Sequence, residues 1–321
     1  MNQHRPLVSI GMPVYNGERF LENALNSILT QTFIDFELII SDNGSSDRTE
    51  EICRHYAEAD ERIRYFRNEE NLGAGWNFDR VAELARGKYF KWACHDDLCA
   101  LGFIQRCIEI LEQDPQTVLA YPKTLIVDEN GVEIEKHEDE FNLRSARPAE
   151  RFNRYLHLVR NGHQCHPFHG LIRRDVLTQL LPLGSYPSSD LILLGKLALY
   201  GKFYEVPSYL FWKRDHPGTS VRAHRFFRER IAWYDPAKKG KLHLTRWKWL
   251  REYLGAIRIA PLQWHERARC YLLMWQWLAW NSVWLTKDVL KAAVWPVIKL
   301  LTKKSSLKPT EQLVSIEVSK S

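Results

Sequence analysis

The feature that most constrains this chain is a regular alternation running from Leu7 to Leu98. The β-rich run Leu7-Val8-Ser9-Ile10-Gly11-Met12 breaks at Pro13 and again at Asn16-Gly17. Phe20 to Thr30 then carries apolar residues at 20, 21, 24, 25, 28 and 29, the spacing of a helix. Phe36 to Ser41 reads as a second strand, ending in the turn-rich cluster Asp42-Asn43-Gly44-Ser45-Ser46-Asp47, where Ser46 or Asp47 can cap a helix through Thr49 to Cys53. Ile63 to Asn68 is a third strand, Asn71 to Gly75 a loop and Trp76 to Ala85 a helix. Tyr89-Phe90-Lys91-Trp92-Ala93-Cys94 is a fourth strand that runs into His95, Asp96 and Asp97, and a further helical segment follows beyond Leu98 and Gly102. Crossovers this long do not make hairpins; they make a parallel sheet covered by helices on both faces.

In such sheets the ligand crevice lies beyond the carboxyl ends of the strands, so Asp42, Asp96 and Asp97 can line one crevice. Two adjacent carboxylates repel each other. A divalent cation relieves that repulsion and can also hold a diphosphate; the alternative is a solvated turn with a capping Asp. No G-x-G-x-x-G follows the first strand, which argues against a dinucleotide fold and leaves a metal as the substitute for glycine-cradled phosphates.

The net charge of +6 is unevenly placed. From Ala237 onward there are 16 Lys and Arg against 5 Asp and Glu, so the preceding residues carry −5. The basic character belongs to the tail, which suits an anionic surface. Six Cys, at 53, 94, 99, 107, 165 and 270, form no C-x-x-C pair, as expected in a reducing compartment. No signal-type apolar segment opens the chain, and no uninterrupted apolar run reaches the ~18 residues a spanning helix needs. These features lead us to expect a cytoplasmic protein.

Val8-Ser9-Ile10 through Pro13-Val14-Tyr15-Asn16, Ser27 to Thr32, Glu37 to Asp47, Asn71-Leu72-Gly73 and His95-Asp96-Asp97 together resemble glycosyltransferase family 2. The motifs are dense over the first third of the chain, and later pieces extend the resemblance to about residue 235. Any one is weak; five in register are specific. The resemblance implies an inverting, nucleotide-sugar-dependent transferase of the GT-A fold: an α/β protein with a mostly parallel central sheet flanked by helices. It implies that Pro13, Val14 and Tyr15 border the nucleobase, that Asp42 accepts from the pyrimidine N–H, and that Asn71 and Gly73 close the other side of the base. Asp96 and Asp97 stand for the D-x-D region that contacts the ribose and a divalent metal, Mg2+ or Mn2+. Many relatives have a carboxylate two positions before Asp96, where this chain has Cys94; a buried small hydrophobe is the reading we favour for that thiol over a soft ligand. His95 neighbours the sugar or is a satisfied polar residue.

Further along, Val118 to Pro122 and Lys123 to Asp128 read as strand segments, Glu129-Asn130-Gly131 as a turn, 133–150 as a charged loop and Ala149 to Arg160 as a helix. The stretch Asn161 to Gly170 holds three His at spacing three plus Cys165. Zinc sites draw on separated segments and Pro167 breaks any helix that would align the three, so we read an acceptor-site loop, with His169-Gly170 matching the pair that lies near the donor sugar in the family. Ser189-Asp190 opens an apolar helix closed by Gly201. Inverting transfer needs one base for the acceptor hydroxyl; the resemblance assigns it to Asp190, the alternative being a helix cap. Arg214, His216 and Ser220 match an Arg-x-His followed by Ser that would meet the diphosphate.

After Pro236 the composition changes. Eight of the 12 Trp lie there, among most of the excess Lys and Arg. Trp and basic residues on helices fit an interfacial anchor; the alternative is helices packed on the catalytic part with Trp as core.

The organisation expected is therefore a catalytic domain over 1–235 (a nucleotide-sugar half, 1–110, and an acceptor half, 111–235), a Trp-rich basic helical extension over 236–302 and a disordered tail, 303–321. The function expected is transfer of a sugar from a UDP- or dTDP-sugar to a hydroxyl of a glycan or lipid-linked acceptor at the inner membrane face, in polysaccharide or glycoconjugate synthesis, with no nucleic-acid partner. A non-catalytic sugar-nucleotide-binding scaffold and a nucleotidyltransferase are the alternatives.

Overall fold

The computed structural model describes residues 5–160, 162–224 and 226–305; Asn161 of the His-rich stretch and 306–321 of the expected tail lie outside them. Four strands run parallel in the order β3 (Ile63–Arg67), β2 (Phe36–Asp42), β1 (Val8–Val14) and β4 (Tyr89–Trp92). Helices α1 (Leu21–Leu29), α2 (Thr49–Ala59) and α3 (Ala74–Glu83) make the crossovers. Every residue of β1 and β2 is buried, as strands covered on both faces must be. Val8, Ile10, Met12, Leu38 and Ile40 face one core with α1 and α2, while Ile39, Phe90 and Trp92 face a second core on the α3 side. A Cβ at Gly11 would lie 2.7 Å from Val81, so glycine there is what lets α3 lie flat against β1.

Beyond β4 the sheet becomes mixed. After β5 (Leu98–Cys99) and α4 (Phe103–Gln113), the long β6 (Thr117–Val127) turns back through β7 (Glu133–His137). Helix α5 (Pro148–Val159), β8 (Leu171–Arg173), a single turn α6 (Arg174–Leu177), α7 (Ser189–Tyr200) and β9 (Lys202–Arg214) follow. β8 is antiparallel to both β4 and β6, β6 is parallel to β9, and β5 is antiparallel to β9.

Three expectations differ in detail. The fourth strand ends at Trp92, so Asp96 and Asp97 sit on a loop instead of a strand end; Leu98 and Cys99 then pair with Trp212 and Phe211, drawing the chain to the sheet's far edge. The segments on either side of Pro122 are one strand, because a register shift against β9 absorbs the proline's missing donor. Residues 133–137, read as loop, pair with Thr124 to Val127 as the second strand of a hairpin. That strand is exposed and charged, so it carries no apolar period to betray it.

At the carboxyl end, α8 (Ser220–Ala223) and α9 (Phe227–Tyr234) lead to α10 (Thr245–Ile259) and α11 (Trp264–Ser305), which pack on each other, on α7 and on α5. Cys270, Met274, Trp277 and Leu285 are buried at helical spacing in the same core as α5 and α7. Elsewhere along α11, Trp264, Leu272, Trp275, Val283, Trp284 and Leu290 are exposed. Part of α11 is therefore packed as core, as one of the two readings of the tail expected. No helix among the described residues is long and apolar enough to cross a membrane.

Candidate active site

The crevice edge is built from the loops after β1, β2 and β4. Asp42 is fully buried; its Oδ1 accepts from the Ser45 N–H at 2.9 Å and its Oδ2 from the Tyr65 hydroxyl at 2.9 Å. Arg67 adds an ion pair at 3.5 Å. The β1 loop is tied to the same turn: Asn16 N–H donates to Ser45 Oγ and Gly17 N–H to Thr49 Oγ1. Val14 ends β1 with its carbonyl taken by Asn43 N–H at 2.9 Å, Pro13 precedes it in the strand, and Tyr15 is exposed at the rim.

Asn43 is the organiser that sequence reasoning left without a role. Its amide donates to Asn71 Oδ1 and the Gly73 carbonyl, and its oxygen accepts from Asn68 Nδ2 and Leu72 N–H. One buried amide therefore shapes the whole 68–73 loop. Gly73 takes φ +93°, and a Cβ there would meet the Tyr234 carbonyl at 2.6 Å. The only available signal was the Asn43-Gly44 turn dipeptide.

The adjacent carboxylates are separated in role by their partners. His216 Nδ1 accepts from Gly218 N–H, so its Nε2–H donates to Asp96 Oδ2 at 3.0 Å. Burial works to raise the Asp96 pKa, but this hydrogen bond and the neighbouring His95 and His216 rings outweigh it and hold the carboxyl low. Asp97 is pushed up by burial and by the Asp96 charge, and it accepts the Arg214 N–H at 3.0 Å. The Arg214 guanidinium is buried. It donates to the carbonyls of Asp96, Asp128 and Glu129 and stacks over Phe20 at 4.6 Å. It ties the Asp96 loop to the 128–129 turn. Ser220 is exposed at the start of α8. His95 packs on Gly17, where a Cβ would come within 2.7 Å of its ring.

The three His of the 163–169 stretch divide between two places. His163 Nε2 faces the Asp139 carbonyl, His166 meets His137 and Asp139, and His169 joins Cys94 and Asp97 with ligand atoms all within 4.8 Å of one another. Burial pushes His169 down to about 3, so its ring is neutral, and its Nδ1 is buried without a hydrogen-bond partner. Burial raises the Cys94 thiol. Beneath them lies Lys91, a buried ammonium that sequence reasoning passed over as part of a strand; it donates to the His169 carbonyl at 2.6 Å and sits 4.2 Å over Phe103. Gly170 lets the turn run against β6, since a Cβ would lie 2.7 Å from the Ala120 carbonyl.

Asp190 lies in the first turn of α7, but the cap position is Ser188, with φ +66°, so Asp190 is not the N-cap residue. Burial raises its pKa against hydrogen bonds from Leu191 N–H and the Cys165 thiol. Cys165 and His169 belong to one short turn. That turn therefore joins Asp190 on one side to Asp97 and Cys94 on the other.

The parallel sheet with its mixed second half, flanked by helices and followed by a helical region, has the architecture of the GT-A class of α/β protein. A family model described as Glycosyl transferase family 2 matches residues 9–181, more than half of the chain, and the protein belongs to that family. It is 37% identical over 131 residues to the uncharacterized glycosyltransferase RT0329 of Rickettsia typhi, covering 40% of each chain. It is 29% identical over 136 residues to the putative teichuronic acid biosynthesis glycosyltransferase TuaG of Bacillus subtilis, covering 42% of this chain and 54% of that one. The aligned segments thus span about half or less of these relatives. The S. aureus TarS 1–349 structure in complex with UDP-GlcNAc superposes with a TM-score of 0.58 at 15% identity, covering 81% of this chain and 69% of that one, a likeness of fold.

Proposed function

We propose that the chain is an inverting glycosyltransferase that moves a sugar from a UDP- or dTDP-sugar to a hydroxyl acceptor. The observation that supports this reading is the turn 165–169, whose Cys165 bonds to Asp190 and whose His169 lies with Asp97 and Cys94. The setting proposed is polysaccharide or glycoconjugate assembly, in keeping with the name of TuaG. The catalytic domain proposed is 1–235, with the acceptor entering over its second half. TarS in complex with UDP-GlcNAc supports the donor class.

Asp97, His169 and Cys94 fit a divalent cation, because the buried His169 Nδ1 has no other partner. When bound, the cation neutralises charge on the departing diphosphate. An imidazole and a thiol beside a carboxylate suit Mn2+ better than Mg2+, which keeps to oxygen ligands. Pro13, Val14, Tyr15 and the Asn71–Gly73 loop border the base, and Asp42 closes its inner end. Asp96, oriented by His216, faces the ribose; His95, His169 and Gly170 line the sugar side. Arg214 we assign to positioning both Asp loops. Asp190 takes the acceptor proton as the oxygen attacks the anomeric carbon from the side opposite the diphosphate, which inverts that centre with no covalent intermediate.

The test is release of UDP or dTDP from a panel of nucleotide-sugars with and without Mn2+, run beside thermal shift with the same ligands. Turnover by wild type that disappears in Asp190→Asn, with the nucleotide-induced shift retained, supports the reading. Undiminished turnover in Asp190→Asn removes it.

A further inference from the structure

His137, Asp139 and His166 converge away from the Asp97 cluster, and the geometry points to a second divalent-cation site there, of the zinc class. Their ligand atoms all lie within 4.8 Å of one another. His137 Nε2 and His166 Nδ1 each stand 3.5 Å from the same oxygen, Asp139 Oδ1. None of these three atoms has a hydrogen-bond partner, nor does His166 Nε2. Asp139 is 1% exposed and His166 4%. Asp139 Oδ1 thus holds both imidazoles at ion-pair distance without hydrogen-bond geometry, while His166 Nε2 has no partner among the described residues; buried polar groups left this poorly satisfied point to a missing partner.

The spacing says what the partner is. Ligands at ~2.0–2.1 Å from a tetrahedral zinc are separated from each other by roughly 3.3–3.4 Å. A pair of 3.5 Å separations converging on one carboxylate oxygen, without hydrogen-bond geometry, is close to two edges of that tetrahedron. Two imidazoles and a carboxylate are a donor set zinc accepts. The ligands also come from two separated segments, β7 with its following loop and the 166–169 turn, as metal sites require and as no local spacing in the sequence reveals. Thr124 Oγ1 reaches Asp139 Oδ2 at 3.5 Å and steadies the carboxylate from behind.

The fourth coordination position opens outward. A cavity of about 540 Å3 is lined by His137, Asp139, His163 and Glu140 among others. His163 Nδ1 is 3.9 Å from Asp139 Oδ1, but both its ring nitrogens face carbonyl oxygens, of Gln164 and Asp139, so it braces the loop and leaves the position to solvent or a ligand entering from the cavity. The cation would tie the β6–β7 hairpin to the turn that carries Cys165 and His169. It is a positioning site for both sides of the crevice, and it stands whether or not glycosyl transfer is the reaction.

The experiment uses the full chain, stripped with chelator, in the Asp97→Asn background that disables the first cluster. Zinc retained after gel filtration is counted, and Co2+ is titrated as a spectroscopic probe. One equivalent of zinc is expected, with visible Co2+ bands, no thiolate charge-transfer band and a zinc-induced rise in melting temperature. His137→Gln, at the less buried rim, should weaken zinc at least tenfold and remove the Co2+ bands; His166→Gln should do the same. If His166→Gln fails to fold, His137→Gln and the Co2+ spectrum of the Asp97→Asn protein decide. Less than about a tenth of an equivalent of zinc in folded Asp97→Asn, a thiolate band, or zinc binding unchanged by His137→Gln would overturn the site and leave a buried His–Asp ion cluster.

Discussion

His216 donates through Nε2 to Asp96 Oδ2 at 3.0 Å, and this single bond makes two neighbouring carboxylates unlike. Asp96 is compensated and held ionised; Asp97, one residue on, keeps its unspent oxygen beside His169 and Cys94. Cation affinity should therefore rest on Asp97. Asp97→Asn is expected to lower metal-dependent turnover by on the order of a hundredfold or more and to abolish the Mn2+-induced thermal shift. Asp96→Asn should retain most of the Mn2+ shift and lose nucleotide affinity instead. Equal loss of Mn2+ binding in the two variants would contradict the division.

On the proposed mechanism, Asp190 should supply the pH dependence. Its pKa is raised by burial, so as the base it must lose a proton that it holds above the ordinary carboxylate range. Turnover should fall as pH drops through that raised value. Stability runs the other way: a raised folded pKa contributes stability that is complete below the unfolded pKa and is lost as pH rises through the folded one. Asp190→Asn should accordingly lose about 10²–10⁴ in kcat and melt higher than wild type at pH 8, with a flatter melting profile between pH 4 and 8. A variant that melts lower at pH 8 would place Asp190 as a structural residue.

Gly73 is required by backbone and by space. With φ at +93° and the Tyr234 carbonyl 2.6 Å from any Cβ, Gly73→Ala should cost about 1–3 kcal/mol and weaken nucleotide binding, because the 71–73 loop would move off Asn43. Chemical denaturation and a nucleotide titration read the two effects. A substitution neutral in both would mean that the loop has another way to close.

The outward face of α11 is a membrane prediction. Trp264 and Trp275 are 80% and 71% exposed, with Lys287 and Lys291 further along the helix. Wild-type protein should float with vesicles containing anionic lipid and less with neutral ones, and added salt should release it. The pair Trp264→Ser and Trp275→Ser should lose flotation with melting unchanged. Sedimentation of wild type away from anionic vesicles would leave this face without a lipid role.

The first half of the fold was legible because its signals are local. Strand and helix periods, turn dipeptides and the order of the motifs all lie within short stretches, and a parallel sheet follows from the lengths of its crossovers. The candidate site residues were legible as residue types at element ends: Asp42 closes β2, Asp97 follows β4 and Asp190 lies in the first turn of α7.

What the tertiary structure decided is pairing, which depends on contacts far apart in sequence. Three His at even spacing gave no sign that His163 and His166 would meet Asp139 while His169 turned to Cys94 and Asp97, because the turn at Pro167 sends them to two sides. The exposed strand that brings His137 and Asp139 to His166 has no apolar period, so nothing local announces it. Composition could mark α11 as rich in Trp, but only packing against α5 and α10 determined which Trp became core and which faced outward.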